Sequence, residues 1–388
     1  MAPNKWMSKL AKHDSARQWD YNPYAHTLRF SSPGINFTFG KTQGLPLGFP
    51  AIIYGPNKSG KTILMYDLIA QLHRDDPTAI AIRFDTEMRD DGQLTRAQAE
   101  AYGIDIDRYM PYMTNDPAKI FDFIENDVDA MIADGAPIKL VIIDSLTNIK
   151  GRKMANAESV NQNLMGDEAA TQQNGLKRIW DVIHKHRLGF IVTCQVRAEF
   201  DQYEKMRNGV DYRMAGGWFL KHFGGYVMHV APILGAKGNE TMSGVKLEDD
   251  KLHDGVGKAE KTGHRIRVKM VGNSFGPKGR AVELTFDYNK GFINRNEEVF
   301  ALGTERGIVE RPNNTAYVLQ DYPKKGETQT WRGKDNFLAA LRDSPELQEE
   351  IVVRLRKQDI DLMERGSQSV FFRPEETKDQ PELEGSAD

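Results

Sequence analysis

The 388 residues exceed one small domain and leave room for a core of about 200 to 250 residues plus accessory segments. A 39% hydrophobic and 28% charged content is that of a soluble globular chain, and a net charge of −3 excludes a global basic field, so nucleic acid would have to be met by local patches. The single cysteine, Cys194, excludes an internal disulfide, no apolar run reaches the ~18 residues of a membrane span, and the polar N-terminus lacks a signal-peptide core, which together point to the cytoplasm.

In chain order, residues 1–40 read as a lead-in, with a short helix around 7–19 and an extended, turn-rich run over 21–40. The central section alternates apolar runs at 49–54, 79–85, 139–144 and 189–195 with helical stretches at 61–73, 117–133 and 168–187. Short strands alternating with such helices predict a mostly parallel sheet with crossovers on its faces. Three further β-like runs, 226–234, 264–271 and 281–288, are closely spaced and predict antiparallel strands at a sheet edge. After Ile293 the pattern turns mostly helical, clearest at 297–307 and 346–365. The end, 374–388, carries six acidic residues against one lysine and reads as disordered.

The segment Gly55-Pro56-Asn57-Lys58-Ser59-Gly60-Lys61-Thr62 matches G-x-x-x-x-G-K-[ST] in full. Glycines let backbone N–H groups turn around phosphate oxygens, and the helix that follows aims its positive end at them. Lys61 offers a point charge to the β- and γ-phosphates, and the Thr62 hydroxyl offers an oxygen to Mg²⁺. An apolar strand before the motif and a helix after it supply the context the motif needs. This predicts an ATP site.

A second acidic anchor belongs at the end of a neighbouring buried strand, and Leu140-Val-Ile-Ile-Asp144 provides it; Asp144 would hold Mg²⁺ through water. Glu87, after Phe84-Asp85-Thr86, is the candidate general base, although by itself it reads as a solvated loop acid. Gln195 closes the 189–195 run as a neutral group able to hydrogen-bond a γ-phosphate; taken alone it is a polar strand end. The nine histidines show no metal-ligand spacing, and Leu176, Ile179, Trp180 and Ile183 recur at helical spacing as core.

These four elements, in this order and spacing, resemble the RecA/UvsX family of recombination ATPases, with the phage branch favoured. Ser32-Pro-Gly-Ile-Asn-Phe and Gly44-Leu-Pro-Leu-Gly look like the family's lead-in, and Gly216-Gly217 like the pair that closes its second DNA loop. The stretches 267–271, 286–294, 333–337 and 347–351 carry the likeness on, so that it covers about residues 31 to 357.

The resemblance implies an α/β fold: a RecA-like core with a mostly parallel twisted sheet and antiparallel edge strands, followed by a small C-terminal α(+β) domain. It divides the chain into an oligomerisation segment (1–40), an ATPase core (41–295), the C-terminal domain (296–372) and the acidic tail (373–388). It implies a DNA-dependent ATPase with Lys61, Glu87 and Gln195 in catalytic roles, using ATP and Mg²⁺, that forms homo-oligomeric filaments on single-stranded DNA and pairs it with duplex DNA. Single-strand-binding and mediator proteins are candidate partners, and no membrane is expected.

Two loops should hold the DNA. The first, 150–167, offers Lys150, Arg152 and Lys153; the second, 196–217, offers Arg197, Lys205, Arg207 and Arg213 among Phe200, Tyr203 and Tyr212, with Gly216 and Gly217 at its end. Loop two also contains Glu199, Asp201, Glu204 and Asp211, so its composition alone describes an ordinary solvated loop. One departure stands out: bacterial members project two lysines from a later strand into the neighbouring subunit's ATP, where Met270-Val-Gly-Asn-Ser-Phe here has Gly272 and Ser274. Lys269, Lys278 and Arg280 are the nearby cations. Two other functions share this core, a hexameric helicase-type motor and an accessory paralogue that does not exchange strands.

Overall fold

The apolar runs of the central section become strands because their side chains alternate between two buried faces. Ile53, Leu140 and Ile142 enter one core, whereas Ile52, Val141 and Ile143 enter the other. Burying such a side chain fully contributes roughly 1.5–3 kcal/mol, so strands covered on both sides are the strongest part of the design. The computed structural model describes residues 26–90, 92–155, 166–198, 212–233, 263–276, 278–287, 291–292 and 294–367. The expected helix at 7–19 and the acidic tail lie outside them.

A small ribbon pairs β1 (Thr27–Leu28) with β2 (Leu45–Pro46). Between them lies α1 (Pro33–Thr38), a helix where an extended run was expected. Ser32 caps it by accepting from the Ile35 N–H and proline occupies its first turn, a start signal present in the sequence.

The main sheet has nine strands: β3 (Pro50–Tyr54), β4 (Ile80–Asp85), β5 (Tyr109–Met113), β6 (Ile138–Asp144), β7 (Gly189–Cys194), β10 (Tyr226–Pro232), β11 (Gly263–Asn273), β12 (Ala281–Asp287) and β13 (Gly291–Phe292). A separate hairpin ladder pairs β8 (Val196–Ala198) with β9 (Tyr212–Met214). Across the main sheet the order is β13-β12-β11-β10-β3-β7-β6-β4-β5. The run from β10 to β5 is parallel, and β11, β12 and β13 continue it antiparallel. The expected mixed sheet is therefore present, with β5 an additional edge strand whose Met110 and Met113 are exposed.

Helices cover both faces. One core takes Leu64, Leu68 and Ile69 from α2 (Lys61–Asp75), and the other takes Leu176, Ile179 and Ile183 from α3 (Asp167–Lys185). The stretch 117–133 is helical as expected, with a π-helical turn at Phe123–Val128.

The chain divides at Glu298/Val299 into two units. The second has its own core around Tyr317, Leu319, Phe337, Leu341 and Ile351. Read from sequence as mostly helical, it also contains a three-stranded antiparallel sheet, β14 (Glu310–Asn313), β15 (Ala316–Gln320) and β16 (Thr328–Arg332). All four β14 residues are exposed, as are most of β16, so there was little apolar alternation to mark them.

Candidate active site

Parallel strands deliver their carboxyl ends to one edge, and register decides which residues meet there. Tyr54 of β3 pairs with Cys194 of β7, and Asp85 of β4 pairs with Asp144 of β6. The chain leaves β3 into the 55–62 loop and enters α2 at Gly60, whose φ of 91° is open to glycine. Gly55 is required for a different reason: a Cβ there would lie 2.0 Å from the Val230 carbonyl oxygen of β10. No side chain caps α2, so its first N–H groups and positive dipole end are presented to the loop.

Lys61 Nζ donates to the carbonyls of Gly55 (3.0 Å) and Pro56 (2.8 Å), tying the helix start to the loop start. Burial lowers its pKa, opposed by Asp144 and Glu87. Thr62 Oγ1 donates to Asp144 Oδ2 at 3.1 Å, and Thr193 Oγ1 from β7 donates to Asp144 Oδ1 at 2.5 Å. Arg83 Nη2 also reaches Asp144 Oδ2, at 3.1 Å.

Asp85 organises the turn that follows β4. Its carboxylate accepts the backbone N–H groups of Glu87 (3.0 Å), Arg89 (2.8 Å) and Asp90 (3.0 Å). The turn holds Glu87 toward the cleft, where Oε2 meets Arg89 Nη1 at 2.8 Å and Oε1 accepts from Gln195 Nε2 at 2.8 Å. The cleft holds about 670 Å³ and is lined by residues 57–63, Glu87, Arg89, Asp144, His264 and Phe286. That is the size range of nucleotide-sized ligand sites.

The donor set suits a polyphosphate. Among the described residues no group of three His, Cys, Asp or Glu is placed to hold a metal. A divalent ion at Thr62 and Asp144 would therefore complete its shell with water and phosphate oxygens, the habit of Mg²⁺. The glycine-built loop, the uncapped helix start and the lysine meet the same requirement for phosphate.

The RecA N-terminal domain family model matches residues 22–293. The chain belongs to the RecA family. The bacterial proteins named Protein RecA resemble it along most of its length. That of Nitratidesulfovibrio vulgaris is 27% identical over 84% of this chain and 79% of its own. That of Oleidesulfovibrio alaskensis is 25% identical over 89% and 87%, and that of Cytophaga hutchinsonii 26% over 84% and 80%. These relatives are bacterial, so the preference for the phage branch rests on the sequence reading alone.

Against the RecA-type expectations, the structure brings Lys61, Thr62, Glu87, Asp144 and Gln195 to one cleft. Arg152 and Lys153 are exposed at the start of loop one, where Asp167 Oδ2 accepts the Lys153 N–H at 2.8 Å and anchors the loop's two ends together. In loop two, β8 and β9 form the base, with Arg197 and Arg213 exposed and directly opposite each other. Gly216 begins the helix α4 (Gly217–Phe223) in a left-handed conformation, and the Ala215 N–H bonds the Gln195 carbonyl at 2.9 Å. Tyr203, Lys205 and Arg207 lie outside the described residues.

Gly272 and Ser274 sit at the other end of the sheet from the cleft, since Asn273 pairs with Tyr226 and Tyr226 with Ala51. Of the nearby cations, Arg280 donates to the Phe37 carbonyl and lies over the Phe37 ring, whereas Lys269 and Lys278 are exposed. Sequence reasoning missed Arg83, Thr193, His264 and Phe286. Only Arg83 left a signal, a charge in the middle of the otherwise apolar run 80–84.

Proposed function

We propose that the protein is a DNA-dependent ATPase that assembles as ATP-bound filaments on single-stranded DNA and pairs it with homologous duplex in recombination and repair, in the cytoplasm of a bacterial or phage-infected cell. The observation that carries this reading is the Gln195–Glu87 hydrogen bond, because it joins the nucleotide cleft to the first residue before loop two. Family membership supports the wider activity.

In this reading the N–H groups of 55–62 and the Lys61 ammonium bind the β- and γ-phosphates, and Thr62 with Asp144 holds Mg²⁺. When bound, the ion neutralises phosphate charge. Glu87 orients the attacking water and accepts its proton. Gln195 exchanges its hydrogen bond between Glu87 and the γ-phosphate, so hydrolysis alters what holds the base of loop two.

DNA contact is supported by the pairing of Arg197 with Arg213. Both are exposed and stand on facing strands, so one phosphate backbone crossing the ladder can meet the two guanidinium groups together.

The test is ATP hydrolysis with and without single-stranded DNA, comparing the unaltered protein with Lys61→Ala and Glu87→Gln. Strong stimulation abolished by both substitutions supports the reading. Slow turnover indifferent to DNA would sink it. Open filaments on DNA, seen by electron microscopy, would separate a recombinase from a closed helicase ring.

A further inference from the structure

The network beneath Asp144 extends away from the cleft into β4. Arg83, with its side chain 5% exposed, faces three carboxylates at once. Its Nη2 lies 3.1 Å from Asp144 Oδ2 and 3.9 Å from Asp85 Oδ1, while Nη1 lies 3.3 Å from both Asp90 oxygens. The Tyr66 ring packs 5.7 Å from the guanidinium carbon, and the Tyr109 hydroxyl is 3.5 Å from Nη1.

These three acids occupy different parts of the machinery. Asp144 ends β6 beside Thr62, Asp85 holds the N–H groups of the Glu87 turn, and Asp90 closes that turn. A buried ion pair is weak evidence for stability, since well-packed apolar residues often serve a core as well. What a guanidinium adds is a rigid fork that fixes the angle of several carboxylates together, which a lysine's single ammonium does not.

We propose that Arg83 is a positioning residue for hydrolysis, locking the Asp144 carboxylate and the turn that carries Glu87 into one unit. It acts through Asp144 and through Asp90, and its hydrogen bonds go to neither the loop 55–62 nor the Gln195 amide. This inference rests on the ATPase reading above. It assigns part of the barrier lowering to a residue outside the cleft lining.

The test compares the full-length protein with Arg83→Lys, Asp90→Asn and the double substitution. Turnover, binding of a fluorescent ATP analogue, melting temperature and amide exchange in the peptide 86–90 are measured for each. In Arg83→Lys, turnover should fall ~10- to 100-fold, the effect of losing a supporting partner around an active-site ligand. Nucleotide affinity should stay within about threefold, because the phosphate-binding groups are untouched. Exchange over 86–90 should rise. Asp90→Asn should move the same observables in the same direction, and the double substitution should be no worse than Arg83→Lys, since both break the same ion pair.

Unchanged turnover and exchange would overturn the proposal. So would equal losses of affinity, melting temperature and turnover, which mark a purely structural residue, or effects that multiply in the double substitution. Should Arg83→Lys fail to fold, Asp90→Asn decides by the same criteria. An unaltered protein that binds the analogue but hydrolyses no ATP refutes the ATPase reading first and takes this proposal with it.

Discussion

Gln195 Nε2 donates to Glu87 Oε1 across 2.8 Å, joining two residues 108 positions apart. Gln195 is also tied to the far strand of loop two, because its carbonyl accepts the Ala215 N–H at 2.9 Å. Its side chain thus meets the cleft residue Glu87 while its backbone meets the closing end of the loop. Gln195→Ala should leave nucleotide binding within about threefold of normal while removing most of the DNA stimulation of hydrolysis. Stimulation that survives the substitution places the coupling elsewhere.

Gly55→Ala should abolish nucleotide binding. The added methyl would meet the Val230 carbonyl at 2.0 Å, and that oxygen belongs to a sheet strand with no freedom to retreat. The loop, not the sheet, is expected to move. Isothermal titration with ATP checks this, with circular dichroism to show that the fold persists.

Arg197→Ala and Arg213→Ala should each weaken single-stranded DNA binding across sequences and reduce the slope of log K against log salt by ~0.7 for each phosphate no longer neutralised. Both are exposed and opposite each other at the base of loop two, so under the proposed function one DNA strand would meet both. Fluorescence anisotropy over a salt series reads the slope; an unchanged slope would remove both from the DNA interface.

Glu298 gives a pH dependence of stability. Burial pushes its pKa up to about 7 from 4.5, only partly offset by the Ser32 hydroxyl, the Gly34 N–H and Arg295, with Asp67 adding to the rise. The folded state therefore binds a proton that the unfolded state releases between pH 4.5 and 7. Stability from this group is full below pH 4.5 and is lost as pH climbs to about 7, for a total of about 3 kcal/mol. Glu298→Gln should flatten that part of the profile and make the protein more stable at pH 8, measured by urea unfolding at several pH values. A Gln variant with the parent's slope would contradict it.

Much of the site was legible because its chemistry is local in sequence. The 55–62 loop needs a strand, a glycine turn and a helix start in succession, and these are consecutive residues. Strand ends such as Asp144 were visible as a carboxylate closing an apolar run. The C-terminal sheet was not, since β14 and β16 expose nearly every residue and leave no periodic trace. The α1 helix was also missed, although Ser32 and Pro33 spell its start, because six residues give no helical period.

The amino-acid order by itself determined the glycine-bounded 55–62 loop between a strand and a helix, the alternation of strands with helices, and the residue types available at each strand end. Tertiary structure decided which of them meet. The order β3-β7-β6-β4 differs from chain order, so Thr193 reaches Asp144 from 49 residues away, Arg83 from 61 and Thr62 from 82. Hydrogen bonds form between groups a few ångströms apart whatever their separation along the chain. Arg83 shows the difference most plainly: as a letter it is one charge in an apolar run, and only parallel pairing with β6 makes it the partner of Asp144.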